Sequence, residues 1–143
     1  AMVARRICSL PRGLYAAPDY LARAGRPAKP EALERHACIV GTGGARWLLA
    51  RDGRQVEVAV RGSYSANNAS MNRELALRGL GIAILPRRIV QAELRAGALR
   101  QVLAPWSVPP TEISAVTSTR LLPARTRAFL DFLTEALAET PGR

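Results

Sequence analysis

Apolar residues fall into short runs broken by proline or glycine, and between the runs their spacing changes from consecutive to threes and fours. Strand-like runs alternating with short helical patterns predict an α/β fold with a largely parallel or mixed sheet flanked by helices. Ile7 to Ala17 reads as a strand bent at Pro11-Arg12-Gly13. Pro18-Asp19 opens a short helix that Gly25 closes, and a second helix starts at Pro30 and ends near His36. A strand through Ala37-Cys38-Ile39-Val40 follows, stopped by Gly41-Thr42-Gly43-Gly44. Trp47 to Arg51 and Gln55 to Val60 are two strand-like runs joined by Asp52-Gly53, a dipeptide whose residues both tolerate positive φ, and they predict a tight hairpin.

The second half continues the alternation. Asn67-Asn68 precedes a helix with Met71, Leu75 and Ala76 on its apolar face, and Gly79 and Gly81 turn it into the apolar strand Ile82 to Leu85. Pro86 begins a helix that carries Ile89, Val90 and Leu94 inward and stops at Gly97. Leu99 to Leu103 reads as a strand, Pro105, Pro109 and Pro110 as a rigid connection, and Glu112 to Thr119 as a further strand. Pro123 to Glu139 is the longest helix, with Phe129, Phe132, Leu133, Ala136 and Leu137 spaced by threes and fours. That stripe is expected to face a sheet or another subunit.

Charge changes this picture little. The formal net charge is +10, from 21 Lys+Arg against 11 Asp+Glu, which would attract anions or nucleic acid. The arginines are scattered, however: Arg5-Arg6 and Arg87-Arg88 are the only adjacent pairs, and no basic run interleaves aromatics as a base-stacking surface needs. A solvated basic surface is favoured over a nucleic-acid site. Cys8 and Cys38 lack metal-ligand spacing and lie in apolar runs, so both read as small reduced hydrophobes. One histidine, three aspartates and no Gly-x-Ser-x-Gly or Cys-x-x-Cys pattern leave no convergent catalytic set, and no cofactor is expected. Gly79-Leu80-Gly81 follows a helix and lacks the third glycine of a dinucleotide fingerprint. No stretch approaches the roughly 20 apolar residues of a membrane span, and no apolar core follows the arginines of AMVARRICSL, so the expected location is cytoplasmic. Ala1 and Met2 look like a cloning remnant on part of a longer protein.

The segments ARRICSLPRGLYAAPDYLARAG, PEALERHACIV, the Trp-bearing hairpin, NNASMNRELALRGLGIAILP, GALRQVLAPW and LLPARTRAFLDFLTEAL come in the order seen in LysR-type transcriptional regulators. Nearly the whole chain resembles the later part of their regulatory domain. "AAPDYLARAG", "ALRGLGIAILP" and the terminal Pro123 helix are the most specific matches. The resemblance implies a two-lobed fold similar to type II periplasmic solute-binding proteins, with a small-molecule effector between the lobes. It implies a partial effector-binding domain in which residues 3 to about 111 form the second lobe and 112–143 return to the first. DNA would be contacted by a winged helix-turn-helix outside these residues, and the family's assembly implies a homodimer or tetramer. A solute-binding protein of a transport system shares the fold and is the alternative.

Ligands of doubly wound sheets sit beyond the carboxyl ends of strands, where loops and helix amino-termini point N–H groups at them. Three places meet that description. In the Gly41 to Gly44 loop, Thr42 and Gly43 are candidate effector contacts, although a plain loop before the hairpin fits equally. Asn67 and Asn68 open a helix, and Asn68 either caps it alone or also presents its first turn to an anionic effector, for which the family resemblance suggests an organic acid. Thr117-Ser118-Thr119 ends the returning strand, with Thr117 and Ser118 as candidate contacts, although β-branched threonine also suits ordinary sheet. Trp47 reads as half-buried packing, and His36 as a capping imidazole.

Overall fold

The computed structural model describes residues 3–41, 43–117 and 123–138. The run that bends at Pro11 is two strands, β1 (Val3–Leu10) and β2 (Arg12–Ala16). The bend separates two sheets. β2 enters a four-stranded sheet, whereas β1 pairs antiparallel with the late strand β8 (Thr111–Thr117), Val3 opposite Thr117 and Leu10 opposite Thr111.

The four-stranded sheet runs in the order β3 (Cys38–Ile39), β6 (Ile82–Pro86), β2, β7 (Arg100–Val102). β3 and β6 are parallel, and β2 is antiparallel to both of its neighbours, so the sheet is mixed as the sequence predicts. Chain between the hairpin and the next helix extends it: Ala37 bridges Arg61 and Val40 bridges Ser65 in parallel, with Cys38 N–H donating to the Arg61 carbonyl at 3.0 Å.

Both faces of this sheet are covered, which is why β3 and β6 read as continuous apolar runs without alternation, while edge strand β7 is of mixed polarity. Along β2 and β6, Leu14, Ala16 and Ile82 pack on one side, and Tyr15, Ala83 and Leu85 on the other. The first side meets α1 (Pro18–Ala24), the 3-10 helix Pro30–Arg35 and the hairpin of β4 (Arg46–Arg51) and β5 (Arg54–Ala59), through Tyr20, Leu33, Trp47, Leu49 and Val58. The second meets α2 (Ala69–Leu77) and the turn Arg87–Val90 that leads into α3 (Gln91–Ala96). Asp52 and Gly53 have φ of 51° and 78°, both left-handed, as a two-residue hairpin turn of this hand requires.

One helical face differs from the sequence expectation. In α2 the buried residues are Asn72 and Ala76, while Met71 is 53% exposed. The helix is turned so that Asn72 Nδ2 donates to the Ala66 carbonyl at 3.2 Å, which rolls Met71 outward. In α4 (Ala124–Ala138), which lies against β1, Leu130 is buried and Phe129 and Phe132 are more than half exposed. Asp131 pairs with Arg5 of β1. Leu133 and Ala136 of the same stripe are half-buried. No helix among the described residues is long and apolar enough to cross a membrane.

Candidate functional site

The parallel strands β3 and β6 end on the same edge of the sheet, and antiparallel β2 begins there, with Arg12 opposite Pro86. At this edge lies a recess of about 310 Å³. One wall is apolar, made by Ile39, Trp47, Ile84 and Pro109, and the floor reaches Asn72 of α2. Arg12 and Arg46 line it, and among the described residues no aspartate or glutamate does.

Each polar group is held by the local fold. Arg12 stands at the first position of β2, where the bend after Pro11 aims its side chain across to the connection before β8, and its Nε donates to the Pro109 carbonyl at 2.7 Å. Burial lowers its pKa from the usual value, because a charged guanidinium loses hydration there. Arg46, at the start of β4, has one long ion pair to Glu57 at 3.7 Å and remains largely exposed. Two cations beside a recess without acids create a site that favours anions.

The N-terminus of α2 opens on the same space. Asn68 adopts an extended backbone and its Oδ1 accepts from the N–H groups of Ser70 at 2.8 Å and Met71 at 3.2 Å, so the cap expected from the sequence is formed. Ala69, the first residue of the helix, lines the recess with its N–H outside the cap. The helix dipole adds partial positive charge at this point.

The sequence candidates divide in the following way. Gly43, Asn67 and Asn68 line the recess together. Gly43 is exposed in a turn closed by Gly44 N–H donating to the Gly41 carbonyl at 3.1 Å. Thr42 and Ser118 lie outside the described residues. Thr117 ends β8 opposite Val3, away from the recess, whereas Thr111 at the other end of the strand lines it. Arg12, Arg46 and Asn72 are site residues that sequence reasoning missed. Asn72 carried a usable signal, since it follows the cap by one helical turn and so shares its face. The two arginines carried none among so many others.

His36 does not belong to this recess. It is not among the lining residues and shares a 2.7 Å hydrogen bond through Nδ1 with Tyr20, whose hydroxyl accepts from Ala37 N–H at 3.0 Å. Burial lowers its pKa from the ordinary histidine value. Among the described residues no group of three or more His, Cys, Asp or Glu is placed to hold a metal ion.

The model of the LysR substrate binding domain family matches residues 1–138. The chain belongs to this family. Among the relatives of this LysR domain, the HTH-type transcriptional regulator PtxR of Pseudomonas aeruginosa is 33% identical over 144 residues, covering 98% of the chain and 46% of the relative. The full-length structure of AphB, a Vibrio cholerae virulence activator of the same family, superposes with a TM-score of 0.80 at 30% identity, covering 95% of this chain and 48% of AphB. The regulatory domain of CrgA, a LysR-type transcriptional regulator from Neisseria meningitidis, superposes with a TM-score of 0.74 at 29% identity, covering 95% of this chain and 69% of that one. The LysR domain thus spans about half the length of the curated relatives it matches. These relatives are transcriptional regulators, which sets aside the transport-receptor alternative.

Proposed function

We propose that this LysR domain is the effector-sensing part of a transcriptional regulator, and that its effector is a small organic acid bound at the edge of the four-stranded sheet. The observation that carries this reading is the recess lined by Arg12, Arg46 and the α2 N-terminus and by no carboxylate. Contacts come from Gly43, Asn67 and Asn68, with Thr42 in the same loop, while Thr117 and Ser118 belong to the opposite wall of a two-lobed cleft. In this reading residues 3–111 form one lobe and 112–143 return to the other. The effector binds the two lobe arrangements with different affinity and shifts their relative angle, which alters how a homodimer or tetramer presents DNA-binding domains outside these residues. The regulator works in the cytoplasm and performs no chemistry on its effector.

Calorimetry of the full-length regulator against a panel of organic acids and their neutral amides tests the proposal. Acids are expected to bind, more weakly as salt is raised, and Arg12→Gln is expected to weaken binding about tenfold, the scale of one charge-assisted hydrogen bond. A panel in which no acid binds, or in which amides bind as well as acids, would overturn it.

A further inference from the structure

We infer that Asn72 determines specificity in this recess, and that the acid it selects carries a second group able to donate a hydrogen bond, a hydroxyl or an amine. This rests on the organic-acid reading above and deepens it.

Asn72 is the buried polar residue among the described core positions, at 5% exposure. It faces the sheet beside Ala76 on α2, where an apolar side chain would pack without polar cost. Its Nδ2 donates to the Ala66 carbonyl, and this bond fixes the amide, because turning it over would bring oxygen against oxygen. Oδ1 is then left buried with no hydrogen-bond partner. An unpaired acceptor of this kind is costly, and such groups in native folds call for a reason.

The recess supplies one. Asn72 lines it together with Gly41, whose missing side chain leaves room beside the amide: a Cβ at position 41 would lie 3.1 Å from Nδ2. The chemistry of the partner follows from what each group can do. A carboxylate only accepts hydrogen bonds, so it suits Arg12, Arg46 and the Ala69 N–H and cannot satisfy Oδ1. The missing donor has to be a different group on the same molecule. A site built around an unpaired acceptor rejects the analogue that lacks the donor, because that analogue leaves the acceptor buried and unmatched. Hydroxy and amino acids are therefore selected over the simple acids of the same frame.

The test uses the full-length regulator and matched pairs that differ by one hydroxyl: lactate with propionate, 3-hydroxybutyrate with butyrate, and 4-hydroxybenzoate with benzoate. Calorimetry is expected to give at least one pair in which the hydroxy acid binds about tenfold or more tightly. In Asn72→Leu that preference should fall to within about twofold while affinity for the deoxy acid is retained. Asn72→Ala, which removes the acceptor with less bulk than leucine, should lose the preference in the same way, and it serves if the leucine variant does not fold. Equal binding within every pair in the wild type would overturn the inference and leave the organic-acid reading standing. So would a leucine variant that weakens both members equally, since that is the signature of a purely structural asparagine. If neither member of any pair binds, the organic-acid reading fails and this inference fails with it.

Discussion

Gly62 is exposed to solvent, so burial alone would mark Gly62→Ala as harmless, yet a Cβ there would stand 1.9 Å from the Cys38 carbonyl oxygen and 3.0 Å from the Cys38 nitrogen. Both neighbours are backbone and cannot rotate aside. To restore an ordinary carbon–oxygen contact the two segments must part by about 1 Å or more. The bond in the way is Cys38 N–H to the Arg61 carbonyl at 3.0 Å, beside a residue that is 1% exposed. Overpacking of this kind costs about 1–3 kcal/mol, and leaving a buried N–H unpaired costs about 1–3 kcal/mol more. The expected loss is about 3–4 kcal/mol, read as a fall in the urea midpoint with an unchanged slope. Gly97→Ala is the control: φ there is +75° but nothing lies within 4 Å, so only the left-handed backbone penalty of about 1–2 kcal/mol applies. If Gly62→Ala is no more destabilising than Gly97→Ala, the close approach of the 61–66 segment to β3 is refuted.

Three further outcomes are expected. Asn68→Ala should cost about 1 kcal/mol by urea titration and speed amide exchange at Ser70 and Met71, whose N–H groups the side chain caps; exchange unchanged at both would count against the cap. Burial pushes the Cys38 thiol up to about 12 from 9.0, so at pH 8 the native chain should react with Ellman's reagent at Cys8 and at Cys38 only after unfolding. The neutral thiol is the form the fold favours, and its contribution is complete below pH 9 and is lost as pH rises toward about 12. His36 has the opposite sign. Its lowered pKa favours neutral imidazole in the fold, so its contribution is present above the ordinary value of 6.5 and is lost as pH falls through the folded value, which an NMR titration of this single histidine measures directly.

What was legible in the sequence was local. Asp52-Gly53 named its hairpin, Asn68 its helix cap, and Pro18 and Gly25 the ends of α1, because each acts on neighbours a few residues away. Periodicity located α2 and α4 but left their rotation open: Met71 and Asn72 differ by one position, and a hydrogen bond to Ala66 decided between them. The spacing of Phe129 and Phe132 likewise identified an apolar stripe without saying whether it meets a sheet or another subunit. Arg12 joined Asn68 at the recess through strand order alone. Nothing near Arg12 in sequence says that β2 will start where β6 ends. The landmark order worked where periodicity failed, because it carried the topology as a whole.

The pairing of β1 with β8 has a consequence for how the protein can be cut and joined. Leu10 and Thr111 sit opposite one another, one inter-strand spacing or about 5 Å apart. Everything between them leaves and rejoins the strand pair at a single point, so the four-stranded unit is an insertion whose two ends nearly touch. A unit tethered in this way asks little of its host beyond a place to attach. Closing residues 12–110 with a short turn would change almost none of its contacts, and the unit could be exchanged between relatives as a cassette, carrying the recess with it.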